Sequence, residues 1–382
     1  MTRGAGLLVI IGSGEMAAPM TRVHREVVRR LAANRPAATD LKATIIDTPY
    51  GFQSNADLLS EAALDFFGRR IGMSTAVASM RRSDDDLLLR ETAFARIREA
   101  DFVFSGPGSP SYALRQWSGT PIRQLLADKL TQGGALVFAS AAALTLGRLV
   151  VPVYEIYKVG EDPFWLPGID VLSQIGLSAA VIPHFDNAEG REHDTRFAFL
   201  GEERLAMLED QMPDDVFILG VDEHTALMID LGAEMVTVHG RGGATVRRRG
   251  QSSILAAGEE IRFEHLAHLA RVARTAPPVT ARAAQAPQSN EHADVRSLVR
   301  DILAADDPAL ARAMVVRLGE MTESAVGERT RLVEPLVEAL LDARRSARAR
   351  GDWATADSIR ERLLQLGIEL RDAPDGTTRF RL

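Results

Sequence analysis

The feature that most constrains the fold is an alternation over the first 260 residues of short runs rich in β-branched residues with longer amphipathic stretches. This pattern is typical of strands followed by crossover helices, and it predicts an α/β protein with a parallel sheet flanked by helices. Predicted strands are Leu7–Ile11, Ala43–Thr48, Phe102–Ser105, Ala135–Phe138, Ala180–Ile182 and Phe217–Val221, and predicted helices include Val23–Leu31, Ala56–Phe67 and Ile122–Leu130.

The pattern changes after Val221. Short alternating runs at Ala226–Ile229, Met235–Val238 and Ala244–Val246 are separated by glycines. Such runs indicate edge strands or a small antiparallel extension of the sheet.

The composition changes again at residue 275. Residues 275–294 are rich in Pro, Ala and Gln and have no apolar period, which is typical of a flexible linker. Beyond them the apolar residues follow a helical spacing that breaks at Gly351–Asp352, and arginines and acidic residues are nearly balanced. We therefore expect an α/β domain at 1–274, a flexible linker at 275–294 and a small all-α domain at 295–382.

Composition excludes several kinds of chemistry. The chain has no cysteine, which removes disulfides, thiolate zinc sites and a cysteine nucleophile. The formal net charge of −7 argues against a uniformly basic surface that binds nucleic acid. Because no apolar run reaches the roughly 18 residues of a membrane span, and the first run ends in glycines, we expect a cytoplasmic protein without membrane contact.

Candidate site residues lie where predicted strands end, since sites in parallel sheets gather in those loops. Gly12-Ser-Gly-Glu15 has two glycines of a dinucleotide-binding fingerprint, but Met16 and Ala17 stand where the third is needed. This favours a tight strand-to-helix turn over nucleotide binding. His193-Asp194 with Asp186 lacks the ligand spacing of a metal site, so we expect neither a metal nor a cofactor.

Three other strand ends carry a serine, a histidine and a carboxylate. Ser140 stands between an apolar strand and a helix rich in small residues, His184 follows Pro183, and Glu223 lies in a tight turn, where Asp222 is an alternative. These groups could supply the nucleophile, general base and orienting anion of acyl transfer. A helix cap is the alternative role for the serine.

Four segments together resemble one enzyme family. They are Phe104-Ser-Gly-Pro-Gly-Ser-Pro-Ser-Tyr-Ala-Leu114, the turn around Ser140, Pro183-His-Phe185 and Gly220-Val-Asp-Glu-His-Thr-Ala226. In this order they resemble the signatures of the dipeptidase E and cyanophycinase family of serine peptidases, over about residues 5 to 260. The resemblance implies a fold like that of class I glutamine amidotransferases, with serine in place of the amidotransferase cysteine.

The same resemblance implies the roles of individual residues. Ser140 would be the nucleophile, His184 the base and Glu223 the orienting carboxylate. The backbone amides of Gly108 and Ala141 would form the oxyanion hole. The implied function is a serine hydrolase that cleaves a small peptide or related amide through an acyl-enzyme.

This chain also departs from the family pattern. The family elbow resembles Gly-x-Ser-Ala-Gly-Ala, whereas this chain has Phe138-Ala-Ser-Ala-Ala-Ala143. A catalytically inactive binding or regulatory module is therefore the alternative function. The segments that contact substrate in the family also differ, and Arg191, Arg196 and Lys158 are candidate binders of a substrate carboxylate, with simple surface charges as their alternative role.

The C-terminal segment carries a second resemblance. Leu336–Arg381 contains Ala-Arg, Asp-Trp-x-x-Ala-Asp-x-Ile-Arg, Gly-Ile-x-Leu and Asp-x-x-x-Gly-Thr patterns that look like the end of cysteinyl-tRNA synthetase. A synthetase itself is excluded, because the chain has neither the HIGH nor the KMSKS motif and no cysteine for its zinc site. The resemblance implies weak tRNA contact, and homo-oligomerisation is the alternative role.

Overall fold

The computed structural model describes residues 6–33, 40–190, 193–272, 341, 369–372 and 378–381. The chain divides into two compact units, Met1–Ala281 and Arg282–Leu382. The strands described in the first unit are β1 (Leu7–Ile11), β2 (Lys42–Ile46), β3 (Ser74–Ala78), β4 (Phe102–Ser105), β5 (Ala135–Ala139), β6 (Leu149–Val150), β7 (Leu166–Pro167), β8 (Ala179–Ile182), β9 (Phe217–Val221), β10 (Thr225–Asp230), β11 (Met235–Gly240), β12 (Gly243–Arg248), β13 (Gln251–Ala256) and β14 (Glu260–Arg262).

Helices connect many of these strands. Most are amphipathic, and α7 is a single turn in which Phe197 and Ala198 have left-handed backbone angles. The helices described in this unit are α1 (Ala18–Ala33), α2 (Ala56–Asp65), α3 (Leu87–Glu99), α4 (Pro110–Trp117), α5 (Ile122–Thr131), α6 (Ser140–Thr145), α7 (Arg196–Phe199), α8 (Gly201–Asp210) and α9 (Phe263–Val272).

The larger sheet has eight strands in the order β14-β11-β10-β1-β5-β4-β2-β3. The five strands from β1 to β3 in this order are parallel, as the sequence predicts, and β10, β11 and β14 extend the sheet in antiparallel pairing. In the pairing of β1 with β5, Ile11 lies opposite Ala139. The loops that begin at Gly12 and Ser140 therefore leave the sheet side by side.

A second sheet of six strands has the order β13-β12-β9-β8-β6-β7. The prediction of one parallel sheet is therefore incomplete, because the predicted strands Ala180–Ile182 and Phe217–Val221 belong to this second sheet. In it β8 and β9 run parallel, with Ile182 opposite Gly220. The loops that carry His184 and Glu223 consequently leave at the same edge.

The core lies on both faces of the larger sheet. On one face α1 packs Val23, Val27 and Leu31 against apolar side chains of β1 and β5. On the other face residues of α3, α5 and α9 pack against the alternate side chains of the same strands. Side chains alternate between the faces of a strand, so a strand that is apolar throughout, as β1 is, must be covered on both sides.

In the second unit the structure describes one pair of strands and the single residue Leu341. β15 (Glu369–Asp372) pairs antiparallel with β16 (Thr378–Arg381), with Leu370 opposite Phe380. The prediction of an all-α domain at 295–382 is therefore wrong for its last residues. The predicted linker at 275–294 and the predicted helices before 369 lie outside the described residues, except for Leu341, which is helical.

Within the described ranges, no helix is both long enough and apolar enough to cross a membrane.

Candidate active site

Ser140 stands at a sharp turn between β5 and α6. Its φ angle is 48°, in the left-handed region that residues with a side chain rarely adopt. A nucleophile elbow has this geometry, since a strained strand-to-helix turn lifts the hydroxyl above the sheet edge.

The bulky residue before the elbow does not distort it. Phe138 is fully buried and packs in the apolar core below the turn. Ala142 is also buried, and its amide donates to the carbonyl of Gly106 at 3.1 Å. The core thus accommodates a side chain at both positions where the family elbow has glycine. Of residues 138–143, only Ser140 has a positive φ.

His184 lies within hydrogen-bond distance of the serine. Its Nε2 is 3.0 Å from Ser140 Oγ, and its Nδ1 is 2.8 Å from Glu223 Oε1. Because a carboxylate accepts, the proton of a neutral imidazole is assigned to Nδ1, and Nε2 then accepts from the serine hydroxyl. The His184 carbonyl accepts from the amide of Ala198 at 3.2 Å, which anchors the backbone behind the ring.

Glu223 is held as an anion. Burial raises the pKa of its carboxyl, but the hydrogen bonds from His184 and Asn187 and the nearby imidazole charge outweigh burial and lower the pKa overall. Asn187 Nδ2 donates to the same Oε1 at 3.2 Å. Glu223 can therefore stabilise the imidazolium that forms when His184 accepts a proton.

Asp222 has a different role from its neighbour. Its Oδ2 accepts from the amide of Gly243 at 2.6 Å, on the side of β12. Burial raises its pKa to about 6, and the charges of Asp186 and Glu223 add to this effect. Of the two acids in this turn, Glu223 is the one that contacts His184.

Two residues contribute to the site that the sequence analysis does not place there. Asp186 Oδ1 accepts from the amide of Glu223 at 2.7 Å and so ties the His184 loop to the Glu223 turn. Asn187, which is 1% exposed, supplies the second donor to the carboxylate. The available signal was their position two and three residues after His184, in the same loop.

The loop before α4 lies beside the elbow. Gly108 has φ 138°, and a Cβ there would lie 2.0 Å from the carbonyl oxygen of Pro49. The Ser109 amide donates to that oxygen at 2.8 Å. Ala141 follows the serine in the first turn of α6, where amides have no partner within the helix. These are the two amides that the family resemblance implies for an oxyanion hole.

The three basic candidates differ in their surroundings. Arg196 donates to both carboxylate oxygens of Asp194, at 2.8 and 2.7 Å, so its guanidinium is already paired. Lys158 Nζ lies 4.7 Å from the centre of the Tyr157 ring and is exposed. Arg191 lies outside the described residues.

Histidine and acidic side chains do not gather into a metal-binding group of three or more anywhere in the part of the chain that the structure describes.

Comparison with solved structures identifies the fold of the first unit. A peptidase from an acI-B1 Actinobacterium matches with a TM-score of 0.55 and 21% sequence identity, and the match covers 69% of this chain and 99% of that protein. The mixed sheet flanked by helices is thus the fold of a solved peptidase, which confirms the fold class predicted from the sequence.

Comparison of sequences identifies the C-terminal segment. Residues 331–381 match the family model of the cysteinyl-tRNA ligase anticodon binding domain. The cysteine–tRNA ligase of Pelotomaculum thermopropionicum is 46% identical over 56 residues, covering 15% of this chain and 12% of the ligase. That of Moorella thermoacetica is 31% identical over 153 residues, covering 38% of this chain and 31% of the ligase. The chain thus spans less than a third of each of these ligases. It combines the fold of a solved peptidase with a segment, residues 331–381, that matches an anticodon-binding family model.

Proposed function

We propose that the first unit is a serine hydrolase that cleaves a small peptide or related amide through an acyl-enzyme at Ser140. The observation that carries this proposal is the continuous hydrogen-bonded chain from Ser140 through His184 to Glu223, which begins at a strained elbow. The peptidase fold of the first unit supports it.

In the first half of the reaction, Ser140 Oγ attacks the carbonyl carbon of the scissile amide while His184 Nε2 takes its proton. The resulting oxyanion accepts hydrogen bonds from the amides of Gly108 and Ala141. When the intermediate collapses, the carbon–nitrogen bond breaks and the imidazolium gives its proton to the departing amine. The acyl group remains as an ester of Ser140.

In the second half, a water molecule attacks the ester carbonyl and His184 takes the water proton. The tetrahedral intermediate then expels Ser140 Oγ, which regains a proton from His184. Glu223 stays ionised throughout and stabilises the imidazolium in both halves. The net reaction adds one water to the amide and releases a carboxylic acid and an amine.

The alternative, a catalytically inactive module, would follow from a distorted elbow. Phe138 is the residue that could cause such a distortion, and its side chain lies in the core. The 3.0 Å separation of Ser140 Oγ from His184 Nε2 is in the range that proton transfer needs. Both observations favour an active enzyme.

Covalent labelling tests the proposal. A serine-directed phosphonate is expected to label the wild-type chain and the control variant Ser118→Ala, which changes an exposed serine, but not Ser140→Ala. Hydrolysis of a library of aspartyl, β-aspartyl and neutral dipeptides should fall by a factor on the order of 10³ or more in Ser140→Ala. Two results would favour the inactive module: labelling of Ser140→Ala at the wild-type rate, or dipeptide hydrolysis by the wild-type chain that is no faster than hydrolysis by Ser140→Ala.

The match of residues 331–381 to an anticodon-binding family supports a second function, contact with tRNA. Phosphate contacts release counterions, so binding should weaken steadily as salt is added. We expect a titration of unfractionated tRNA into the full chain to show this salt dependence. Replacement of Arg344, Arg345 and Arg348 by glutamine should make the binding less dependent on salt. Absent or salt-insensitive binding would leave oligomerisation as the role of this segment.

A further inference from the structure

The two sheets described in the first unit end at four edge strands, and three of these are protected against further pairing. β7 has two residues, one of which is Pro167. β14 has three residues, and Glu260 and Arg262 are charged. At β3 the guanidinium of Arg96 donates a hydrogen bond to the backbone carbonyl of Val77. Short strands, proline and charged side chains are the means by which proteins commonly prevent edge pairing.

The fourth edge strand, β13, has none of these features. It has six residues, Gln-Ser-Ser-Ile-Leu-Ala, without a charge or a proline. The side chain of Ile254 in this strand is 68% exposed. An uncharged edge strand with an exposed apolar side chain is a template on which another strand can pair.

The turn before β13 determines which of its backbone groups face outward. Arg249 and Gly250 have φ angles of 46° and 74° and form the two-residue turn of a type I′ hairpin between β12 and β13. The pair that closes such a turn, Arg248 with Gln251, is hydrogen-bonded, and hydrogen-bonded pairs alternate along an antiparallel ladder. Gln251 and every second residue after it therefore bond to β12, and the residues between them face away from the sheet.

Ser252 and Ile254 are the outward-facing residues whose amides and carbonyls have no partner among the residues that the structure describes. Ala256 also faces outward, but its amide donates to Glu259 Oε2 and its carbonyl accepts from the Glu259 amide, both at 3.0 Å. The open edge thus consists of Ser252 and Ile254, each with one backbone donor and one backbone acceptor.

We propose that β13 pairs with β13 of a second copy of this chain, in antiparallel direction about a two-fold axis at Ser253. In this register Ser252 of one copy lies opposite Ile254 of the other, so each outward donor meets an outward acceptor. A two-fold contact must be self-complementary, and here the same two residues supply both sides of it. The second sheets of the two copies then form one continuous sheet.

The charges at the ends of β13 favour an antiparallel partner. At its start, Arg248 and Arg249 share a single carboxylate, that of Asp214. After its end, Glu259 and Glu260 are exposed. Antiparallel pairing brings the basic end of each strand to the acidic end of the other, whereas parallel pairing places like charges side by side, which is unfavourable.

Sedimentation velocity of the full chain tests the association. Two paired short strands bury little area, so we expect a transient dimer that forms at protein concentrations on the order of 100 μM. Ser252→Pro should stay monomeric, because it removes an outward amide and no hydrogen bond to β12. Ile254→Lys should also stay monomeric. Leu88→Lys is the matched control, since Leu88 is a 75% exposed leucine at the start of α3, and it should associate as the wild type does.

The absence of cysteine from the chain permits a test of the register. Across the axis, Ser253 lies opposite its own copy in a non-hydrogen-bonded pair, where a Cα separation of about 4.5 Å suits a disulfide. Ser252 is offset by two residues from its own copy, which separates the Cα atoms by more than about 7 Å. Mild oxidation with diamide should therefore give a covalent dimer of Ser253→Cys and little of Ser252→Cys.

Each other outcome contradicts the proposal. A wild-type chain that stays monomeric at the highest concentration, or equal cross-linking of the two cysteine variants, would overturn it. Dimerisation that persists in Ile254→Lys and Ser252→Pro would place the contact on another surface. If Ser252→Pro does not fold, Ile254→Lys and the cysteine variants still decide, because they keep the backbone hydrogen bonds of β13. None of these measurements uses hydrolysis, so the result is independent of the function proposed for Ser140.

Discussion

At the scale of single residues, the candidate site depends on unusual backbone angles. Ser140 and His184, the two residues that would exchange a proton, both have φ near 50°, and so does His224 beside Glu223. For a residue with a Cβ, such angles cost on the order of 1 kcal/mol or more each. The surrounding hydrogen bonds and core packing must offset this cost, which links the geometry of the site to the stability of the sheet edge.

Gly108 is expected to be sensitive to any side chain. Because a Cβ would lie 2.0 Å from the Pro49 carbonyl oxygen, Gly108→Ala must move the loop that carries the proposed oxyanion amide. We expect kcat to fall by about 10²-fold or more, as when one oxyanion donor is lost. Gly119→Ala is the matched control, since Gly119 also has a positive φ, 71°, but an open environment. Equal kinetics of the two variants would remove Gly108 from the oxyanion hole.

His24 should make stability depend on pH. It is fully buried among phenylalanine rings, its Nε2 donates to the Glu15 carbonyl at 2.7 Å, and burial lowers its pKa to about 4. An unfolded histidine binds its proton near pH 6.5, so between pH 6.5 and 4 the unfolded state binds more protons than the folded state. The contribution of His24 to the free energy of unfolding is thus fully present above pH 6.5. It is lost as the pH falls towards 4, and the total loss is about 3 kcal/mol.

Urea unfolding across this pH range measures the effect. The quantity to follow is the unfolding free energy of the wild type minus that of His24→Gln. This difference should become smaller as the pH is lowered, because the wild type has a histidine that gains a proton on unfolding and the variant has none. His265→Gln, at an exposed position of α9, is the control. A difference that does not vary with pH would contradict the assignment of His24 as the group responsible.

At the scale of elements, a buried ion pair joins helix α8 to strand β12 of the second sheet. Arg247 of β12 donates to Glu209 of α8 at 2.8 and 3.1 Å, and both residues are almost fully buried. Burial lowers the pKa of Arg247, but the hydrogen bonds that it donates to Glu202 and Glu209, together with their negative charges, raise the pKa by more. The guanidinium therefore stays charged, and α8 is held against β12 by a fully paired cation.

Removal of one partner should be more costly than removal of both. Arg247→Met leaves Glu209 buried without its cation, and we expect a loss of about 3 to 5 kcal/mol in the free energy of unfolding. The double variant Arg247→Met with Glu209→Leu should recover most of it. Arg249→Met, which breaks an exposed pair with Asp214, should cost less than about 1 kcal/mol. Urea titrations of the four proteins distinguish these outcomes, and a double variant no better than Arg247→Met would contradict the argument.

The elements also differ in how well the sequence predicts them. β1, β4 and β9 have the predicted bounds, because each is a buried apolar run. β3 was not predicted, since its sequence of small residues, Ser-Thr-Ala-Val-Ala, is only partly buried at the sheet edge. α3 was not predicted either, because its three leading leucines are exposed and interrupt the amphipathic pattern.

At the scale of the whole molecule, the chain joins a unit with a peptidase fold to a second compact unit that begins near residue 282. The hydrogen-bonded chain from Ser140 through His184 to Glu223 lies entirely within the first unit, as do both core clusters that pack against the large sheet.

Truncation should therefore separate the two proposed functions. A chain that ends at Ala281 is expected to keep its thermal unfolding transition and its phosphonate labelling at Ser140, while tRNA binding is lost. Limited proteolysis of the full chain should cut first in the Pro- and Ala-rich region 275–294. Aggregation of the shortened chain, or loss of labelling, would show that the first unit depends on the second.

The sequence by itself determined the bounds of β1, β4 and β9 and which residue types stand where these strands end, because hydrophobic periodicity and turn chemistry are local properties of the chain. It also determined, through resemblance, that Ser140, His184 and Glu223 belong together as candidates. Only the tertiary structure decided that β8 and β9 pair in a second sheet, since strand pairing depends on hydrogen bonds between segments far apart in sequence. Only the tertiary structure shows that Phe138 lies in the core and that Glu223, rather than Asp222, contacts His184. The physical reason is that side-chain direction in a turn is set by neighbouring strands and loops, here by the Gly243 amide that binds one acid and the imidazole that binds the other.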